Sequence, residues 1–338
     1  VQDESYLSEW LGTQIFRRAG YPAALAGHVR LWINDRDMGI YVLREGFDRT
    51  FLKREFGDSD GHLYDRGEAG DVDTELEMDV GDDPEERSDL IGLAIASVQP
   101  DPATRWPQIS QRADLDRLLT FMALERLCGH WDGYSQAVNN YRIYFPKKAK
   151  ALFLPHGMDQ LFQDPGAGLF DESPGLVTSA VMENDSWRKL YQAKLRELLP
   201  ILKPIDPWLA RIDERRDRLQ PILEAISPDQ AAAHRDRVDE LKDRLTQRAE
   251  ALEGLISDGM PVPLEFDDSK TILLSEWNAA PEGEDAVLDE CEHAGVNCYR
   301  ITREVFGDHG SSWRRRVLLP RGKYRFQARI KTDSILPI

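Results

Sequence analysis

An acid just past the end of a helix, two carboxamides at the mouth of a strand and a second acid after the next strand form a set of oxygen ligands in an order that suits phosphoryl transfer. The sequence carries that order in Gly129-His130-Trp131-Asp132-Gly133-Tyr134, then Asn139-Asn140-Tyr141-Arg142-Ile143-Tyr144, then Pro155-His156-Gly157-Met158-Asp159-Gln160. In such a set one carboxylate accepts a hydroxyl proton, while an amide oxygen and the second carboxylate hold Mg2+ against the phosphates. A hard, partly hydrated Mg2+ takes oxygen donors and needs few of them from the protein. The same residues also read as plain structure: Asp132-Gly133 as a turn, Asn139 and Asn140 as strand-edge caps, Asp159 as a loop cap. His130 and His156 lie in the same segments, but with Asp159 they lack a third fixed His or Cys at transition-metal spacing.

Those residues need elements to position them. Asp114 to His130 reads as a helix, with Leu115, Leu118, Leu119, Met122, Ala123 and Leu127 at helical spacing and Arg117 and Arg126 off that face. Tyr141 to Phe145 and Ala151 to Leu154 read as strands joined by a turn at Pro146-Lys147-Lys148. Upstream, Ser8 to Arg18 reads as a helix. Val29 to Ile33 and Met38 to Leu43 read as a hairpin turned by Asn34-Asp35-Arg36-Asp37. Asp48 is placed to cap a short helix that Gly57 stops. Residues 57–89, rich in Gly, Asp and Glu, read as loops and edge strands. From Asp185 to Ile256 the pattern is helical, with Pro200, Pro204, Pro207, Pro221 and Pro228 expected to divide it. Gly259-Met260-Pro261-Val262-Pro263 reads as a linker. Beyond it Thr271–Leu274, Asn297–Ile301, Ser312–Leu319 and Tyr324–Ile330 are β-like, resembling half of a β-sandwich.

A chain of 338 residues exceeds what one core commonly holds, so two domains are expected. The net charge of −17 argues against a nucleic-acid partner, which needs clustered Lys and Arg. No apolar run approaches the ~20 residues of a membrane span. The sequence opens on Val1 without a charged segment ahead of an apolar one, which reads as a chain past a processed leader or as a piece of a longer protein. Cys128 sits in an apolar helical stretch and reads as a buried thiol. Cys291 and Cys298 are close enough for a small disulfide loop suited to an oxidising compartment, a pairing that two cysteines leave open. The basic cluster Trp313-Arg314-Arg315-Arg316 reads as a solvated strand face.

Taken in order, these segments resemble the CotH kinase family, named for a spore-coat protein and distantly related to protein kinases. The resemblance runs from Tyr6 to Leu255. Its pieces are Val29 to Asn34, Gly39 to Glu45, Phe51 to Arg54, Leu63-Tyr64, the Asp132 and Asn140 loops, and the late helix through Leu241-Lys242 and Arg248-Ala249. It implies an α+β, protein-kinase-like two-lobe fold over residues 1–256, short of the N-terminal part of the small lobe. A linker at 257–265 and a partial β-sandwich-like accessory domain at 266–338 would follow. It implies an ATP-dependent kinase, with Mg2+ or Mn2+, that phosphorylates Ser or Thr of an exported, surface or spore-coat protein. The setting would be extracellular or at the cell surface, with the cytoplasm as the alternative. On this resemblance Asp132 is the catalytic-loop acid, Asn140 (or its neighbour Asn139) the metal-holding amide and Asp159 the metal-binding carboxylate. Glu45 would order the nucleotide side.

The chain departs from the family at three points. The Lys after the Leu-Tyr step is Asp65, with Arg66 next as the stand-in on the phosphates. A second Lys is Glu77. The Trp-Asp-x-Asp box is His156-Gly157-Met158-Asp159, one acid short. The rival implication is therefore a catalytically inactive pseudokinase in a coat or surface assembly, whose β domain binds carbohydrate or a partner surface.

Overall fold

The computed structural model describes residues 3–65, 70–257, 264–266, 269–275, 277–280, 286–303, 310–315, 317–319 and 322–332. Arg66 and Arg316 lie outside them. Two compact units divide the chain, Val1–Met260 and Pro261–Ile338.

Local chemistry sets the first elements. Helix α1 (Ser8–Arg18) is followed by strands β1 (Ala26–Ile33) and β2 (Arg36–Arg44), an antiparallel pair. Asn34 and Asp35 turn the hairpin with φ of 47° and 62°, the left-handed backbone that these two residue types accept most readily. In α2 (Arg49–Phe56) the Asp48 carboxylate accepts from the amides of Thr50 and Phe51 at 2.8 and 2.9 Å, and Gly57 at φ 74° ends the helix. Strands β3 (Gly61–Asp65) and β4 (Glu77–Val80) precede α3 (Ser88–Ser97) and α4 (Pro102–Arg112). The sequence reading missed both helices. Helix α3 is apolar nearly all round and lacks a clear stripe, and α4 carries Pro107 inside it.

Helix α5 (Leu115–Leu127) is capped by Asp114, whose carboxylate accepts from Arg117 N at 3.1 Å. Every residue from Leu118 to Leu127 is buried, so α5 is the central helix and not an amphipathic surface one. Arg126 is therefore inside, contrary to its expected place off the apolar face. The short α6 (Tyr134–Ala137) leads to β5 (Tyr141–Pro146) and β6 (Leu152–Pro155).

The four-stranded sheet is antiparallel in the order β4-β3-β5-β6. Alternation along the strands gives it two faces. Tyr64, Ile143 and Phe153 join the main core with α5. Leu63, Tyr144 and Leu152 lie on the other face, beneath Phe51, Leu52 and Phe56 of α2. Asp65 and Arg142 share that second face as a cross-strand pair, two residues after Leu63 and two before Tyr144 in their antiparallel strands.

Helices α7 (Leu176–Glu183), α8 (Asp185–Leu202), α9 (Asp206–Ile226) and α10 (Pro228–Ser257) complete the first unit. Pro207 and Pro228 begin helices, but Pro200 and Pro221 lie inside α8 and α9. Those two prolines do not divide the run. Buried stripes on both sides of them, such as Leu219 and Leu223 in α9, keep each helix seated on its neighbours.

In the second unit β8 (Ala286–His293) and β9 (Val296–Arg303) form a hairpin in which Cys291 and Cys298 face each other and are disulfide-bonded. Strand β7 (Asn278–Ala280) pairs with β10 (Ser312–Arg314). Thr271–Leu274 and Tyr324–Ile330, expected as strands, are irregular and form no ladder among the described residues. Strand alternation without a partner edge does not make a sheet. Cys128 in the first unit is buried, which pushes its thiol up to about 12.

Candidate functional site

The loop after α5 is held from inside by two consecutive charged side chains. Glu125 is fully buried and accepts from the amides of Tyr134 at 3.0 Å and Ser135 at 2.9 Å. Arg126 donates to the carbonyl oxygens of Ser135 at 2.9 Å and Glu172 at 3.0 Å. A Cβ on Gly133 would fall 2.2 Å from the Glu125 carboxylate, so only glycine fits there. Buried charges persist where hydrogen bonds satisfy them, and these four bonds fix the backbone after the turn.

That turn presents Asp132. Its carboxylate accepts from Asn139 Nδ2 on one oxygen and Asn140 Nδ2 on the other, each at 2.8 Å. Val138 and Asn140 have positive φ, 52° and 43°. A β-branched residue in that region is held there by its surroundings, a condition that clusters at functional sites. Asn140 then passes directly into β5. Its Oδ1 accepts from none of the described residues, and the His156 amide donates to its carbonyl at 3.1 Å. Asp132, Asn139 and Asn140 are thus brought together.

The charge of Asp159 acts on Arg44, Glu9 and Asp3, and no hydrogen bond joins it to Asp132, Asn139 or Asn140 among the described residues. Gly157, two residues before it, is what abuts Asn140. A Cβ there would lie 2.5 Å from Asn140 Oδ1, and φ is +57°. Gly157→Ala is expected to cost about 1–3 kcal/mol through the left-handed backbone and the displaced carboxamide. Gly46→Ala, where a Cβ meets nothing within 4 Å, is the control. Urea melts giving the two variants equal stability would refute the crowding.

Glu45 closes the hairpin. It accepts from Leu25 N at 3.0 Å and pairs with Arg54 of α2. Its neighbour Arg44 points the other way along the strand, and Arg44 Nη2 lies 2.6 Å from His156 Nε2. Arg44 also has Glu9 of α1 at 3.9 Å, and the same Glu9 accepts from Met158 N at 2.6 Å. Asp65 pairs at 2.6 Å with its cross-strand partner Arg142, which also reaches Asp79 at 3.1 Å. Sequence reasoning passed over Arg44, Arg142 and Glu9. The one available signal was strand alternation, which sets Arg44 and Glu45 on opposite sides.

An arginine can only donate, so His156 Nε2 is the acceptor. Burial first, then the charges of Arg44 and Arg142, lowers the imidazole from its usual value to about 2. The unfolded chain takes up this proton below ~6.5, whereas the folded chain refuses it. The stability His156 contributes is therefore present above that pH and is lost as pH falls, by up to ~1.4 kcal/mol per pH unit. Glu9, raised chiefly by burial, runs in the opposite sense. A comparison of variants isolates the histidine: the fall in Tm from pH 7.5 to 5 is expected to be smaller in His156→Gln than in wild type. Equal falls would contradict this.

Among the described residues no group of three or more His, Cys, Asp or Glu side chains is arranged to hold a metal, and no helix is long and apolar enough to cross a membrane. Residues 1–252 match the family model described as CotH kinase protein. Among curated proteins, Invasin CotH7 of Rhizopus delemar is 28% identical over 175 residues, 48% of this chain and 29% of that protein. Spore coat protein homolog 1 of the same organism is 28% identical over 155 residues, 42% of this chain and 26% of that protein. Each match spans less than a third of the relative's own length.

Proposed function

The chain belongs to the CotH kinase protein family, and on that premise we propose that its first unit transfers the terminal phosphoryl group of ATP to a Ser or Thr hydroxyl of an exported, surface or coat protein. The observation that carries this reading is the Asp132 carboxylate gripped by Asn139 and Asn140 between the central helix and β5. In this reading the sheet side and the helical side are the two lobes of a kinase-like fold. Asp132 accepts or orients the hydroxyl proton, and the two amides fix its direction.

The hard oxygen donors Asn140 Oδ1 and Asp159 are of the kind that fits Mg2+ or Mn2+. When bound, such an ion supplies charge neutralisation for the phosphates. This reading assigns the acceptor segment to a cavity of about 420 Å3 lined by Trp131, Gln136, Gln160, Gln163 and Asp164, in which Trp131 and Gln160 are the chain neighbours of Asp132 and Asp159. The relatives' names, an invasin and a spore-coat homologue, support a surface or coat setting. The test is transfer from radiolabelled ATP to a generic protein substrate in Mg2+ or Mn2+. Absence of label with both ions ends this reading.

A second reading, a non-catalytic coat or surface-assembly protein that meets carbohydrate or a partner through its C-terminal unit, is favoured by one observation. Position 157, which abuts Asn140, bears no side chain. Here ATP with Mg2+ gives no thermal stabilisation even at high concentration.

A further inference from the structure

We infer that Arg44 is the cation that faces the terminal phosphates of the nucleoside triphosphate, its guanidinium held in place by the imidazole of His156; this rests on the nucleotide reading above. Strand β2 ends at Arg44, and His156 follows β6, where its amide bonds the carbonyl of Asn140. The 2.6 Å contact between Arg44 and His156 thus carries a guanidinium to the turn that holds Asn140 and Gly157.

Among the described residues Arg44 and Arg142 reach this end of the sheet, and their partners decide between them. Arg142 spends its donors on Asp65, Asp79 and the Tyr141 carbonyl, so two carboxylates neutralise it in place. The one side-chain hydrogen bond of Arg44 among the described residues goes to the His156 ring, which as acceptor carries no charge. Its nearest acid, Glu9, lies at 3.9 Å, beyond hydrogen-bond range, and is engaged by Met158 N. A neutral acceptor fixes the direction of a guanidinium without cancelling its charge, and the planar fork retains further donors for phosphate oxygens. The side chain is 29% exposed, open enough to meet a ligand and buried enough for its charge to be felt. Asp65 is bound to Arg142, so among the described residues the uncancelled charge at this end comes from β2.

The competing role for Arg44 is structural, a tie between α1 and the hairpin through Glu9. Calorimetric titration of wild type, Arg44→Gln and Arg44→Lys with ATP and with AMP separates the two. The preference for ATP over AMP is expected to fall about ten-fold or more in Arg44→Gln, the size of a lost charged hydrogen bond. Arg44→Lys, which keeps the charge but loses the fork, is expected to fall between that variant and wild type. If Arg44→Gln does not fold, Arg44→Lys decides by the same ratio. An unchanged ratio in the folded variants, whatever their Tm, overturns the inference. Failure of wild type to bind ATP at all overturns the nucleotide reading, and this assignment with it.

Discussion

Asp132→Asn is expected to lower phosphoryl transfer by about 100-fold or more while leaving ATP-dependent thermal stabilisation intact. The carboxylate sits at the turn, ends a hydrogen-bonded chain and can take a proton. Both of its oxygens are oriented by amide donors, from Asn139 and Asn140 at 2.8 Å. Asparagine preserves the volume and one acceptor, but it cannot receive the hydroxyl proton, and its NH2 meets a second NH2 across the loop. The damage to the fold is limited because Glu125 and Arg126 fix the loop backbone independently. The measurement is initial label incorporation at saturating ATP, alongside a nucleotide thermal shift. Equal label from both proteins would place the chemistry elsewhere. Loss of the thermal shift together with the label would make Asp132 a binding residue.

Arg248→Met should have the largest effect on stability, a loss of about 3–5 kcal/mol. Arg248 of α10 is fully buried, and its guanidinium donates to four carbonyls. These are Arg126 O at 2.6 Å, Leu127 O at 3.3 Å, Pro165 O at 2.9 Å and Ala167 O at 2.7 Å. The first two are terminal carbonyls of α5, which have no partner within their own helix, and a cation at that end also meets the negative pole of the helix. Methionine fills much of the space but withdraws these donors from the buried carbonyls, of which Arg126 O keeps the amide of Gly129 at 3.1 Å. Burial already lowers the guanidinium to about 10, a sign of how far it is removed from water. Since a domain is stable by only about 5–15 kcal/mol, chemical denaturation should show a large shift in midpoint. A loss below about 1 kcal/mol would mean that water or a moved backbone satisfies the carbonyls. The clamp also fixes the start of the Asp132 loop, so a surviving Arg248→Met protein is expected to transfer phosphate poorly.

Much of the framework was legible because its signals act over a few residues. Asp48 and Asp114 cap their helices, Asn34-Asp35 turns the hairpin and the strands around Tyr141 and Leu152 form where alternation placed them. The family was legible too. Signals failed where a neighbour outweighs local preference. Pro200 and Pro221 ride inside helices because packed stripes on both sides hold them. Tyr324–Ile330 alternates like a strand yet has no ladder among the described residues.

By itself the sequence determined where Asp132, Asn139, Asn140 and Asp159 fall in the chain and on which local elements they sit. Tertiary structure alone decided their company. It drew Asn139 and Asn140 onto Asp132, brought the charge of Asp159 to bear on Arg44 and Glu9, and pressed Gly157 against Asn140. It also turned Arg126 and Arg248, which look like solvated helix charges, inward onto main-chain carbonyls. The reason is physical. Caps and turns are satisfied by atoms within about four residues, whereas a buried charge takes whichever partners packing delivers. For Arg44 and His156 those partners are 112 residues apart.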